Sequence, residues 1–255
     1  MIDADILRIL VEKLVLEKET DILILILQLL NILLEGDMAT PYVLNTPVLA
    51  RLNKHLAAKE WQVRQLAAEN LCSISFNDDG KTQTIEAGSI PPLTEMLTDT
   101  ISDVRTSAVC ALASLAQLKE GKIQIYDLDK LNLIIELLYD LDEQTRLNNV
   151  QLIAAVAEYP PAREKFKQCL PKLREMAVKY AKTQPLVAKH AEIAIKVITW
   201  MPWAFQIRTW KKQNYIVYTV NHSSSIRIII KTRVEAAWSH SCLPTSHPSF
   251  YLFII

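Results

Sequence analysis

Residues 61–75 read WQVRQLAAENLCSIS, and residues 101–116 read ISDVRTSAVCALASLA. Their Val-Arg pairs, Val63-Arg64 and Val104-Arg105, lie 41 residues apart. The same step leads to Thr145-Arg146 in EQTRLNNVQLIAAVA, and a step of 42 leads on to Val187-Ala188 in PLVAKHAEIAIKVI. A step back from Arg64 reaches Leu23, in TDILILILQLLNILL. The register also holds inside each unit. Leu30, Leu71, Leu112, Ile153 and Ile195 share one position, and Leu33, Ile74, Leu115, Val156 and Ile198 share the position three residues later. Spacings of three and four mark one face of a helix. Ala67, Ala108 and Ala191 recur a turn earlier, where a small side chain lets neighbouring helices approach closely.

The segment ahead of each long helix repeats as well. Leu52, Leu93 and Ile134 are 41 apart, as are Leu56, Leu97 and Leu138, with Leu173 as the counterpart in the next unit, 39 residues after Ile134. Upstream, Val11 and Val15 fit the same register. Each unit therefore reads as a short, a medium and a long helix. In the unit around Gly80, GKTQTIEAG is the short helix, ended by Gly88, whose missing Cβ suits a helix C-terminus. SIPPLTEML follows, with Pro91 and Pro92 in a first turn where no hydrogen bond is lost. SDVRTSAVCALASLAQL is the long helix, with Ser102 or Asp103 expected near its N-cap. Gly121 repeats Gly80 at the turn after the long helix.

One such unit cannot bury both its faces, whereas stacked units share a continuous core. The expected fold is all-α, an armadillo/HEAT-like α-solenoid of about four to five repeats. Three helices per unit and the Ile-Pro-Pro-Leu second helix favour armadillo. The segment ILRILVEKLVLE reads as the middle helix of a unit whose first helix is missing, so the array looks like a piece of a longer one.

Composition agrees. Of 255 residues, half are hydrophobic and only four are glycine, which argues against glycine-rich phosphate loops and tight hairpins. The formal charge is zero, without the basic excess of a nucleic-acid binder. Cys72, Cys110, Cys169 and Cys242 form no CxxC, so reduced thiols are expected rather than a disulfide framework or zinc site. MIDADILRIL is acidic where a secretory signal is basic. The greasy run from Ile22 to Leu34 is too short to span a bilayer and contains Gln28 and Asn31, so a buried helix is expected.

The repeat closes at AEIAIKVITWMP, where Pro202 stops the last helix. Residues 203–255 hold six basic residues and one acid, Glu235. The neutral total thus hides an acidic solenoid over 1–202, with 22 basic and 27 acidic residues, and a basic tail over 203–255. IRIIIKTRV and NYIVYTV can form strands, but no turn chemistry joins them convincingly. The tail is expected to be irregular, disordered or loosely packed.

No catalytic motif is present, and no cofactor, metal ion or small-molecule substrate is implied: GxSxG, HExxH, GxxxxGK[ST] and GxGxxG are all missing. His55 falls in register with Met96 and Leu137 and reads as packed or snorkelling, while His190 reads as exposed. Asp78-Asp79 read as a helix cap. Armadillo binding uses the concave face lined by the long third helices. Gln28, Glu69, Cys110 and Gln151 stand where the importin-α class has its Trp ladder, and Ile32, Ser73, Ser114 and Ala155 where it has Asn. That ladder is absent, so nuclear-signal recognition is not expected. The acidic balance also argues against the basic groove of the β-catenin class. What remains is a protein-binding face of mixed polarity, with Glu69, Ser73, Cys110, Ser114 and Gln151 as the candidate groove residues.

The run from WQVRQLAAENLCSIS through SDVRTSAVCALASLAQLKEGK resembles the radial spoke head protein 14 homolog family, armadillo proteins of the axoneme. The close HAEIAIKVITWMP and the Gly-Lys pairs at 80–81 and 121–122 are similar to that family's C-terminal helix and repeat turns. The resemblance covers roughly Met1 to Pro202. It implies a non-enzymatic scaffold of the ciliary or flagellar radial spoke, located in the cytoplasm and cytoskeleton, with axonemal subunits as partners. Further N-terminal repeats of the family have no counterpart here, nor do residues 203–255 in the family, which points to a truncated or alternatively spliced form. The alternative is a soluble cytosolic armadillo adaptor that binds a partner peptide in its groove.

Overall fold

The computed structural model describes residues 4–34, 39–200 and, beyond these, 205–206, 215–221, 227–233 and 251–254. The chain forms two compact units, Met1–Thr199 and Trp200–Ile255.

The first unit is helical. It begins with a pair, α1 (Ala4–Leu16) and α2 (Thr20–Leu34). Four triplets follow: α3 (Thr40–Leu44), α4 (Val48–His55) and α5 (Trp61–Ile74); α6 (Asp78–Glu86), α7 (Ile90–Glu95) and α8 (Ser102–Leu115); α9 (Lys119–Asp127), α10 (Leu131–Glu136) and α11 (Glu143–Val156); α12 (Pro160–Phe166), α13 (Leu170–Lys179) and α14 (Pro185–Thr199). The long helices stack side by side in the order α2, α5, α8, α11, α14. The leading pair is the middle and long helix of the register, as expected from the sequence. Pro202 lies outside the described residues.

The repeat positions form the core. Leu30, Leu71, Leu112 and Ile153 are buried, as are Ala67, Ala108 and Ala191 between neighbouring long helices. Leu52, Leu93, Ile134 and Leu173 are buried on the middle helices. Truncating one such leucine costs about 2–5 kcal/mol, because both transfer energy and packing are lost.

The recurring Val-Arg pair has a structural reason that its spacing alone did not reveal. The valine is buried. The arginine reaches back to the loop before its own helix and forward to the next repeat. Arg64 donates to the Ala58 and Lys59 carbonyls and pairs with Asp99 at 2.8 Å. Arg105 donates to the Asp99 carbonyl at 2.7 Å and grips Asp140 through two bonds, Nε to Oδ2 at 2.7 Å and Nη2 to Oδ1 at 3.1 Å. Arg146 donates to the Asp140 and Leu141 carbonyls and reaches Gln184, where the series loses its carboxylate. Each fork ties consecutive repeats into one register.

Several local expectations change. The cap of α6 is Asn77, whose side chain accepts from the Gly80 amide at 3.0 Å, and not Asp78 or Asp79. The cap position of α8 is Ile101, with no side-chain bond, and not Ser102 or Asp103. Asx geometry needs an extended residue just outside the helix, and each helix starts a residue or two earlier than the sequence suggests. Gly88 does end α6, with φ of 72°. Gly80 and Gly121 lie inside α6 and α9 for a different reason. A Cβ on Gly80 would stand 1.9 Å from the Ile74 carbonyl oxygen, and one on Gly121 2.1 Å from that of Leu115. Each short helix rests against the end of the preceding long helix, where only hydrogen fits.

The thiol expectation is corrected. Cys72 on α5 and Cys110 on α8 are joined as a disulfide, with Cα atoms 6.0 Å apart. Side-by-side stacking brings a residue beside the one about 38 ahead, so distant positions meet. Cys169 is a free, buried thiol, and burial pushes its pKa up to about 11, which leaves it unreactive.

The second unit holds β1 (Phe205–Gln206), β2 (Tyr215–Asn221), β3 (Arg227–Arg233) and β4 (Tyr251–Ile254) in one antiparallel sheet of that order. Tyr215 pairs with Arg233 and Asn221 with Arg227. Two of these strands fall on the NYIVYTV and IRIIIKTRV runs that the sequence marks as able to form strands. The β-branched runs IVYTV and IRIII favour an extended, paired backbone.

Candidate functional site

The long helices present one stripe each, at spacings of three and four. On α5 the stripe runs Gln62, Gln65, Glu69, Ser73, with Phe76 just beyond; on α8 it runs Asp103, Thr106, Cys110, Ser114, with Gln117 beyond. On α11 it runs Gln144, Leu147, Gln151, Ala155. Side-by-side stacking sets these stripes next to one another across three repeats.

The structure places all five candidates on this face, but four of them are engaged between repeats. Glu69 accepts from Gln65 at 2.8 Å and from Ser107 on α8 at 3.3 Å. Ser73 donates to Asn31 on α2 at 2.8 Å. Cys110 is bonded to Cys72. Gln151 lies 3.3 Å from His190 on α14. Ser114 is only 6% exposed and so offers little to a ligand. The candidates therefore form the floor of the face and knit its helices together. The exposed groups stand one or two turns nearer the helix starts: Gln62, Asp103 and Gln144. Sequence reasoning missed this row, although its members also recur at 41 residues. Phe76 adds an exposed ring just past the end of α5.

His190 is half-buried, not exposed as expected. For Gln151 Nε2 to donate, His190 Nε2 must be unprotonated. Burial first, then nearby Lys189, lowers the His190 pKa below its usual value. His55 is likewise lowered by burial, against the opposing bond with the Leu14 backbone. A depressed histidine contributes stability that is full above its unfolded pKa of about 6.5 and is lost as pH falls through the folded value. Replacing His190 with glutamine removes that part of the loss. The variant's denaturant midpoint is expected to fall less than the parent's as pH drops through this window, so the two diverge toward the acid end.

Among the described residues, no group of three or more His, Cys, Asp or Glu is placed to hold a metal ion. No described helix is long and apolar enough to cross a membrane.

No protein-family profile matches the chain, and no curated protein matches it. Solved structures do. A designed armadillo repeat protein superposes with a TM-score of 0.68 at 22% identity, over 74% of this chain and 80% of that one. The fold is an armadillo solenoid. An engineered protein superposes with a TM-score of 0.69 at 26% identity, over 77% of this chain and 86% of that one. A further designed armadillo repeat protein, in complex with the peptide (KR)4, reaches 0.67 at 22% identity, over 74% and 80%. These likenesses rest on backbone geometry.

Proposed function

We propose that the protein is a non-enzymatic interaction scaffold that holds an extended segment of a partner protein across α5, α8 and α11. The observation that carries this reading is the row of adjoining stripes on consecutive long helices, exposed along Gln62, Asp103 and Gln144. A solved armadillo protein of the same fold holds a peptide, which supports the mode of binding. The resemblance to the radial spoke head protein 14 homolog family suggests the setting: the ciliary or flagellar axoneme, with spoke subunits as partners.

Localisation and retention test the setting. Tagged protein in ciliated cells is expected along the axoneme and to stay there after detergent extraction. Diffuse cytosolic protein, released by detergent, would favour the cytosolic adaptor instead. The surface is tested separately. Replacing Gln62 and Asp103 with arginine leaves the fold intact, since both are exposed. The double variant is expected to weaken binding to the captured partner by about tenfold or more. Unchanged affinity would move the binding surface elsewhere.

A further inference from the structure

At one joint of the solenoid the floor of the candidate face holds a covalent bond. Cys72 on α5 and Cys110 on α8 meet there with Cα atoms 6.0 Å apart, and no other disulfide occurs among the described residues. The same offset of 38 residues joins Glu69 to Ser107, one turn nearer the helix starts, at 3.3 Å. One 41-residue step back, the corresponding pair is Asn31 and Glu69; one step on, it is Ala113 and Gln151. The joints α2–α5 and α8–α11 stack in the same way without such a bond. Both helices of the bonded joint are also anchored by buried apolar side chains, Leu71 and Ile74 on α5 and Leu112 and Leu115 on α8. The fold therefore does not depend on the sulfur–sulfur bond, and the joint stays assembled with that bond open.

The two sulfurs differ in access. Cys72 is 5% exposed, whereas Cys110 is half-buried and lies on the open stripe between Thr106 and Ser114. A thiol arriving from solvent thus meets one side of the bond and not the other. Cys169 is shut away in the core and takes no part.

We propose that Cys72–Cys110 is a thiol–disulfide exchange site, a latch between α5 and α8 that a dithiol opens and a small-molecule disulfide closes. In opening, a thiolate of the dithiol attacks Sγ of Cys110. Cys72 Sγ leaves with the bonding electron pair and takes a proton. The second thiol of the reductant then displaces Cys110 from the mixed disulfide, and Cys110 takes the second proton. Two electrons pass to the protein, and the dithiol departs as its own disulfide. Closing is the reverse, with the small disulfide reduced to two thiols. Glu69 stands one turn from Cys72 and meets Ser107, one turn from Cys110. A carboxylate in that place disfavours a thiolate. The latch therefore follows the ambient thiol–disulfide poise and is not a fast peroxide sensor. Its consequence for binding rests on the face proposed above. A closed latch holds α5 and α8, which carry Gln62 and Asp103, at one spacing, so the face is pre-organised for an extended partner.

The test uses the full chain with no partner, so its failure leaves the scaffold reading standing. The protein is equilibrated in mixtures of reduced and oxidised dithiothreitol, blocked with N-ethylmaleimide, and mapped peptide by peptide so that each cysteine is read separately. Cys72 and Cys110 are expected to pass together between the linked and the blocked form, with unchanged helical circular dichroism. The closed form should melt about 5–10 °C higher, and amide hydrogen exchange at the ends of α5 and α8 should quicken on opening. Single variants test the point of entry. An aromatic disulfide reagent should label Cys110 in Cys72→Ala at least about tenfold faster than Cys72 in Cys110→Ala. Four results would overturn the proposal. A bond that resists reduction until the helices unfold is a fixed staple, and a pair that never links in oxidising buffer is no latch. Identical exchange in the two forms removes the conformational effect, and equal labelling of the two cysteines removes entry through Cys110.

Discussion

Replacing Arg105 with alanine is expected to lower the unfolding free energy by about 3–5 kcal/mol. The reason is the carboxylate left behind. The Asp140 side chain is only 4% exposed, and Arg105 holds both its oxygens. The same guanidinium satisfies the Asp99 carbonyl, so the loop before α8 loses a partner as well. Burial alone would raise the Asp140 pKa, but the Arg105 fork and the Asp142 amide together hold it below the usual carboxylate value. Its contribution is therefore present above the unfolded pKa and is lost as pH falls through the lower folded one. Arg105→Lys keeps the charge but not the fork, and should recover only part of the loss. Equilibrium urea unfolding of the three proteins at neutral pH measures this. A loss under about 1 kcal/mol for the alanine variant would show that the pair behaves as a solvated surface bridge.

Gly121→Ala is the second large effect, and its sign is opposite to the usual one. Inside a helix, alanine normally gains about 0.5–1 kcal/mol over glycine. Here the new methyl group would sit 2.1 Å from the Leu115 carbonyl oxygen and 2.8 Å from its carbon. Those are backbone atoms and cannot rotate aside. Either α9 shifts off the end of α8 or α8 loses its last turn, and a net loss of about 2–3 kcal/mol is expected. The preceding repeat also has glycine at this position, Gly80, but the following repeat carries Ala162 and the one two repeats back Ala39, so a shifted short helix can be accommodated, which caps the cost. Gly88→Ala is the control. Nothing lies within 4 Å of its added methyl, so only the positive φ is penalised, by about 1–2 kcal/mol. If Gly121→Ala proves neutral in urea or thermal unfolding, the close approach of α9 to α8 is not a constraint.

The two sites show how much was written in the primary structure. The recurrence of Arg64, Arg105 and Arg146 was visible at once, and so was that of Gly80 and Gly121. Their tasks were not. Asp99 and Asp140 lie 35 residues beyond their arginines, in loops with no helical periodicity to mark them. The glycines looked like turn residues and are instead points of contact between helices. Spacing alone sets Glu69, Ser73, Cys110 and Gln151 on one face of the stacked helices. Spacing does not show that each meets a side chain from a neighbouring repeat, because that depends on the offset between stacked helices. The α2 run, read as a buried helix, misled for a related reason: Leu23, Ile26, Leu27, Leu30 and Leu34 are buried, while Ile22, Leu25, Leu29 and Ile32 are exposed. Hydrophobicity says that a surface avoids water, not whether a neighbour in the same unit covers it.

The sequence by itself determined the all-helical repeat, its 41-residue register and the residues of its core, because burial at spacings of three and four is a local pattern that the chain repeats. Only the tertiary structure decided which polar groups bind each other across repeats, which cysteines meet, and which polar side chains of the long helices stay exposed. Those outcomes rest on the separation of atoms far apart in the chain, and a one-dimensional pattern does not contain it.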